Sequence, residues 1–244
     1  MRIGLVVILF GIAVGCSKST VVEKNARNNE PSPEIIAGSR AGIEKAIRDE
    51  IKKPEGNLTD SDLSKVKSLY LADTTVTTEG LKGLGNLPNL SILGLSNSPV
   101  TDEGVKELSK LQQLTYLDLQ GTQITDVGIG DLTALTQLTA LSLSRTHVTD
   151  KGLEKLVGLK QLTLLYLDGT KVSDNSLKHL AKLENLQVLG LTFTSISDDG
   201  IKELAALQKL TWLFLNGTRV TDSGMSEWKD KPTGCKVFLN GIWR

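Results

Sequence analysis

A 24-residue period constrains this chain more than any other feature. Leu138–Gln161 reads LTALSLSRTHVTDKGLEKLVGLKQ and Leu162–Asn185 reads LTLLYLDGTKVSDNSLKHLAKLEN, with apolar residues at the same places. Seven such units follow one another in register, starting at Val66, Leu90, Leu114, Leu138, Leu162, Leu186 and Leu210, with no insertion between them. A unit this small cannot bury its apolar face alone, so the units must stack, each against its neighbours. The period decides the architecture before any single residue is weighed.

Within a unit, Leu141-Ser142-Leu143 alternates and predicts a short strand with one buried face. Leu153, Leu156 and Leu159 step by three and predict a short helix with one apolar face. One strand and one helix per unit make neighbouring strands parallel, about 4.8 Å apart. Asp102, Asp126, Asp150, Asp174, Asp198 and Asp222 stand just ahead of the helices and are expected to cap their free N–H groups, each cap contributing ~1 kcal/mol. Gly104, Gly128, Gly152, Gly200 and Gly224 follow in the first turn, where a close approach of neighbouring backbones is expected. Thr122, Thr146, Thr170, Thr194 and Thr218 form a further column, extended by Thr74 and Ser98, whose hydroxyls suit buried backbone groups. These columns read as structural, because a catalytic residue is needed once and a structural one in every unit.

The shared pattern, L-x-x-L-x-L-x-x-T-x-[VI]-[TS]-D-x-G-[LIV]-x-x-L-x-x-L-x-x, closely resembles the leucine-rich repeat family from Val66 to the C-terminus. The resemblance implies an α/β fold: a leucine-rich repeat solenoid with a curved parallel sheet inside and short helices outside. Residues 66–233 are the seven repeats, and 234–244 an eighth strand, carried by Val237 and Leu239, with a C-terminal cap. Trp228, Ile242 and Trp243 are expected to cover the last open face. Residues 40–65 are the N-terminal cap. Ser39 is placed to cap a helix starting near Arg40 whose apolar stripe is Ile43, Ala46, Ile47 and Ile51, ended by Pro54 and Gly56. Thr59 starts a further turn with Asp62 three residues on. This segment resembles the cap that precedes many bacterial leucine-rich repeat arrays.

The N-terminus reads as an address. In MRIGLVVILFGIAVGC one Arg precedes an apolar run from Ile3 to Val14, shorter than the roughly 18 residues that a membrane span needs, with a small residue ahead of Cys16. Ala13-Val14-Gly15-Cys16 resembles the lipobox of bacterial lipoproteins, although Ala13 stands where Leu is typical. That resemblance implies that residues 1–16 carry a lipoprotein signal peptide, with a mature chain beginning at a lipidated Cys16. An ordinary signal peptide with an incidental Cys is the alternative. Residues 17–39, polar and containing Asn28-Asn29 and Pro31-Ser32-Pro33, are expected to be a flexible tether. The chain is expected to be exported to the cell envelope and held on a membrane, on its periplasmic or cell-surface side. Acylation of Cys16 would leave Cys235 as the sole free thiol and the fold without a disulfide.

Little in the chain points to chemistry. The 28 basic and 28 acidic residues balance, which argues against a nucleic-acid footprint. His147 and His179 stand in different units with no metal-ligand spacing, and no G-x-S-x-G, C-x-x-C or Gly-rich phosphate loop is present. Asp118, Ser142 and His147 evoke a triad, but His147 falls beyond its strand. No catalytic residue, metal or cofactor is expected, and the chain is read as a non-enzyme. One surface stands apart. Six of the ten aromatics (Tyr70, Tyr116, Tyr166, Trp212, Phe214 and Phe238) flank the strand leucines on the inner face. Leu164, Tyr166, Val188, Phe193, Trp212 and Phe214, with Tyr116 further along, are the expected ligand-contacting residues, since contiguous apolar surface marks a contact site and Trp and Tyr are favoured anchors. The expected partner is a protein or peptide, held by a monomer. Simple cross-strand packing, an envelope scaffold with no concave ligand, and an unrecognised hydrolase are the alternatives. If the lipobox is used, Cys16→Ser leaves unprocessed precursor on a membrane-fraction blot; normal maturation of that variant excludes lipidation.

Overall fold

The computed structural model describes residues 33–244, with side chains from Ser39 onward; the lipobox, Cys16 and the tether up to Ser32 lie outside the described residues. Strands β1 (Ser68–Tyr70), β2 (Ile92–Gly94), β3 (Tyr116–Asp118), β4 (Ala140–Ser142), β5 (Leu164–Tyr166), β6 (Val188–Gly190), β7 (Trp212–Phe214) and β8 (Lys236–Leu239) lie side by side in chain order, all parallel. The register advances by one repeat at each step: Leu69 pairs with Leu93, Leu93 with Leu117, and so on to Val237. Helices α3 (Thr78–Lys82), α4 (Asp102–Leu108), α5 (Asp126–Leu132), α6 (Asp150–Leu156), α7 (Asp174–Leu180), α8 (Asp198–Lys202) and α9 (Asp222–Glu227) form the opposite layer. Between the layers the repeat leucines make one continuous core, with Leu117, Leu141, Leu165 and Leu189 essentially out of solvent. A fully buried Leu contributes roughly 1.5–3 kcal/mol, so the aliphatic column supplies the main driving force for stacking. The solenoid expected from the period is the fold observed.

The Asp column serves a different helix from the one anticipated. Each helix is preceded by an N-cap Thr or Ser of extended backbone, such as Thr125, Thr149 and Ser173, and the Asp is its first helical residue. Its carboxylate reaches across to the following unit. Asp102 accepts from the Thr125 N–H at 2.9 Å, the Thr125 hydroxyl at 2.6 Å and the Gly128 N–H at 3.0 Å. Asp126 does the same for Thr149, Asp150 for Ser173, Asp174 for Ser197 and Asp198 for Thr221, at 2.6–2.8 Å. The N–H and hydroxyl of the N-cap residue are therefore met by the unit before it, while its own oxygen takes a first-turn N–H of its own helix, as Thr125 does from Val127, Thr149 from Lys151 and Ser173 from Asn175. The first-turn glycines make room for that carboxylate rather than for backbone: a Cβ on Gly128 or Gly152 would stand 2.5 Å from Asp102 or Asp126 Oδ1. Where the first unit carries Thr78 in place of Asp, Thr101 receives no such bond and α4 has no side-chain cap.

The Thr column meets buried backbone carbonyls, as its hydroxyls suggest, but only locally. Thr122, Thr146 and Thr170 each donate to a carbonyl three residues back, Leu119, Leu143 and Leu167, at 2.6 Å, so each bond stays within its own unit. The hydroxyl ladder that crosses units lies just ahead of the strands. There Thr115 donates to Ser91 O at 3.1 Å, Thr139 to Thr115 O and Thr163 to Thr139 O at 3.0 Å.

The two ends are closed differently. Helix α1 (Pro33–Ile51) begins seven residues ahead of the expected start and takes in the last residues of the predicted tether; proline suits the first turn because its missing N–H needs no partner there. Ser39 lies inside this helix rather than capping it. Its buried Oγ accepts from the Thr77 N–H at 3.0 Å, so α1 supplies the first repeat with the acceptor that an Asp supplies elsewhere. Ile43 and Ile47 sink into the core, while Ala46 and Ile51 are partly buried against it. In α2 (Asp60–Leu63) Thr59 and Asp62 form a reciprocal capping box; the Lys53 ammonium, with the Thr59 N–H and hydroxyl and Lys65, holds the Asp62 carboxyl well below the usual carboxylate range. At the far end, β9 (Ile242–Trp243) folds back antiparallel on β8. Asn240 and Gly241 join them with φ of 52° and 77°, the two positive values that a type I′ hairpin needs. Of the three residues expected to cover this end, Trp228 is buried, whereas Ile242 and Trp243 remain exposed. Cys235 is a buried free thiol, its pKa pushed up to about 11 by burial.

A second carboxylate binds three units together. Asp168, just past β5, accepts from the Thr192 N–H at 2.7 Å and from the Ser144 hydroxyl at 3.2 Å. Burial pushes its carboxyl above the ordinary range against the pull of those donors. A raised carboxyl pKa means that the folded state prefers the protonated form, so ionised Asp168 costs stability at neutral pH. The cost disappears as pH falls below the unfolded value of about 3.9. Asp168→Asn is therefore expected to raise Tm at pH 7 and to leave it nearly unchanged at about pH 3; the reverse order in thermal melts would refute this. In urea titrations Asp126→Ala, which strips two charge-assisted bonds from the next helix, should cost about 2 kcal/mol. Asp222→Ala loses only an exposed pair with Arg244 and should cost below about 1 kcal/mol.

Candidate binding surface on the concave face

In each strand the central residue faces the core and its two neighbours face inward along the curve. Register sets these neighbours in two rows. One row brings Leu164, Val188 and Trp212 side by side, and the other Tyr166, Gly190, Phe214 and Phe238. The six residues expected to form one apolar patch fall in adjacent units. Tyr116 does not join them: Ala140 of β4 separates it from Leu164. Burial, with the nearby Asp118 carboxylate, raises the Tyr116 phenol above its ordinary pKa.

Part of this surface is cross-strand packing. The Tyr166 ring leans over Gly190, where a Cβ would meet its Cδ1 at 2.7 Å, and Tyr70 covers Gly94 in the same way. The gaps left by the glycines are thus filled by rings from the preceding strand. Towards the C-terminus the rings exceed what such gaps require. Trp243 of β9 packs edge-on against Trp212 at 5.1 Å and Phe214 at 5.8 Å, and lies 4.7 Å from Phe238. Phe214 and Phe238 are themselves in edge contact at 6.4 Å. Edge-to-face pairs of this kind contribute about 0.5–1.5 kcal/mol beyond burial. The Lys236 ammonium stands over Trp212 at 5.0 Å. Trp243, assigned by the sequence to end-capping, belongs to the concave surface and remains 49% exposed. The signal that could have found it is the Asn240-Gly241 pair, which turns the chain back beside Phe238.

Phe193 is the odd member. It lies just past β6, 72% exposed, with φ of 56°. The left-handed region costs a non-glycine residue roughly 1–2 kcal/mol, and Gly121, Gly169 and Gly217 fill the equivalent place in alternate units. The Phe193 ring lies across Gly217, on ground that a Cβ would occupy. A bulky aromatic is here held in an unfavourable backbone conformation with most of its surface in water.

The imagined triad is not assembled. Asp118 and Ser142 are register partners, but the Asp118 carboxylate is occupied by the Ser96 hydroxyl and the Gln120 N–H. Ser142 is buried and His147 exposed in the loop beyond. Among the described residues no group of three or more His, Cys, Asp or Glu is placed to hold a metal ion.

A family model described as a leucine-rich repeat region matches residues 61–242. The crystal structure of internalin C2 from Listeria monocytogenes superposes with a TM-score of 0.65 at 27% identity, covering 87% of this chain and 99% of that one. A leucine-rich repeat protein of Leptospira interrogans superposes with a TM-score of 0.52 at 22% identity over 74% of this chain and 51% of its own, a likeness of fold alone. No curated protein sequence matches. The match of the family model across most of the chain, with the strand register and buried leucine column described above, makes the chain a member of the leucine-rich repeat proteins.

Proposed function

We propose that this chain is a lipid-anchored, extracytoplasmic binding module, without enzymatic activity, that holds a protein or peptide partner on the concave face of its C-terminal half. The observation that carries the reading is Phe193. A side chain that costs backbone energy and leaves most of its ring in water contributes little to its own fold, and strain of this kind gathers at functional positions. Beside it Trp212, Phe214, Phe238 and Trp243 offer rigid rings of the type that anchor interfaces. The family favours an interaction module over an enzyme. Lipid anchoring through Cys16 and residence in the cell envelope rest on the Met1–Cys16 pattern; several acyl chains on one residue anchor far more firmly than one. Among the described residues no helix is long and apolar enough to cross a membrane.

Packing and binding make opposite forecasts for one substitution. Asn adopts the left-handed region more readily than Phe, and Asn97 already does so in an earlier unit. Phe193→Asn should therefore leave Tm unchanged or higher. Combined with Trp212→Ala, it should lower crosslinked capture of the partner from native envelopes by at least about tenfold, or 1.4 kcal/mol. A fall of several degrees in Tm for Phe193→Asn, with capture intact, would return the surface to cross-strand packing.

A further inference from the structure

Past the end of each strand the chain bends through one left-handed residue and, two residues later, rejoins a parallel ladder, as in the pairs Thr149–Lys171 and Ser197–Arg219. These two positions in every unit form a rim along one side of the concave face. Its two halves differ in charge. In the first three units the rim holds no cation, and its Asp73 is already bonded by the Asn97 amide at 3.1 Å. From the fourth to the seventh unit it holds no carboxylate. Each unit there presents a large exposed side chain in turn: Arg145, with His147 beside it, then Lys171, Phe193 and Arg219. Among the described residues the side chains of Arg145 and Lys171 make no hydrogen bond or ion pair, and Arg219 spends a single N–H on Ser195 O at 2.6 Å. The Asp150, Asp174 and Asp198 carboxylates are turned to the start of the following helix, and Asp168, whose backbone carbonyl takes the Arg145 N–H, has its carboxylate on the Thr192 N–H and the Ser144 hydroxyl. Arg145, like Phe193, occupies the left-handed region, with φ of 56°. Two exposed side chains of different chemistry are thus held on strained backbone two units apart.

We propose that this rim binds an extended acidic peptide segment of a partner protein, with its carboxylates on Arg145, Lys171 and Arg219 and an apolar side chain on Phe193. The assignment rests on the reading of the chain as a peptide-binding module and names the chemistry of what it takes. Spacing sets the motif. Three steps along the array span about 14 Å at ~4.8 Å each, and a polyproline II chain advances ~3.1 Å per residue and turns the same face to the rim every third residue, which matches the two steps separating Arg145 from Phe193 in one row and Lys171 from Arg219 in the other. Five residues therefore cover the rim, with the apolar residue third after the first acid and directly before the last. A cation on each side of an exposed ring favours that order over a uniformly acidic stretch, because the ring must also be covered.

The full chain in detergent, with the fluorescent peptide EDGLE as probe, tests this by anisotropy. EDGLE should bind, lose affinity as salt screens the charges, and bind more tightly than EDGGE or KKGLK. The triple variant Arg145→Glu, Lys171→Glu, Arg219→Glu, whose changes are all on exposed side chains, should keep the wild-type Tm and lose at least about tenfold in affinity. The convex-side pair Lys151→Glu, Lys178→Glu should not. Equal binding of KKGLK, unchanged affinity in the triple variant, or binding to phosphatidylglycerol vesicles with no preference for EDGLE would each overturn the assignment. Crosslinked capture separates this from the concave-face reading. If the triple variant still captures the native partner while Trp212→Ala with Phe214→Ala does not, the rim assignment alone falls. If neither variant affects capture, both fall.

Discussion

The array depends on a carboxylate that bonds forward. Leucines drive the units together, but burial is non-directional and does not say how far one unit may slide or rotate on the next. The Asp at the start of each helix does. With two or three bonds to the N-cap residue and first turn of the following unit, it sets the helix layer in the same one-repeat register that the strands keep on the other side. The glycine opposite leaves room for the carboxylate, and where Ser176 stands in its place the hydroxyl turns to Ser173 O at 2.7 Å and the Asp150 bonds persist. Asp, Thr or Ser, and Gly are one device divided between neighbouring units.

The ends show what happens when the device has no neighbour. At the N-terminus no Asp precedes Thr77, and a serine within α1 supplies the acceptor. At the C-terminus Asp222 has no following helix, and the Arg244 guanidinium takes its carboxylate at 2.6 Å. Both caps therefore repeat the polar chemistry of the interior while closing the apolar column with Ile43 and Ile47 at one end and Trp228 at the other.

Much of this was legible in the sequence, for a physical reason. Period-two alternation around each central leucine determines which residues leave the core, so the strands and their inward-facing neighbours fall where the pattern puts them. Direction across units was not legible. A column of Asp looks the same whether it caps its own helix or the next, because the two acceptors differ only in how a short side chain turns. The hydroxyl ladder at Thr115, Thr139 and Thr163 was hidden likewise, while the more conspicuous Thr122 column bonds locally. In the candidate site the rings of Trp212 and Phe214 were evident from strand position. Trp243 was not, because it reaches the surface through a hairpin rather than through the repeat. The strain at Phe193 was invisible until its backbone conformation was known, although glycine in alternate units at that position was a clue.

The forward carboxylate has a further consequence, for how such an array can lengthen or shorten. In the helix layer every unit is finished by the one before it, whereas in the sheet each strand donates to the one after, as the Leu95 N–H does to Asp118 O at 2.8 Å. In the helix layer, losing units from the C-terminal side exposes an acceptor that water satisfies readily. Losing them from the N-terminal side leaves helix N–H donors and a hydroxyl without the acceptor they were folded around. The solenoid is chemically polar along its axis. Its N-terminal boundary is bound to a cap that carries a replacement oxygen, and its C-terminal boundary to a hairpin that pairs the last strand.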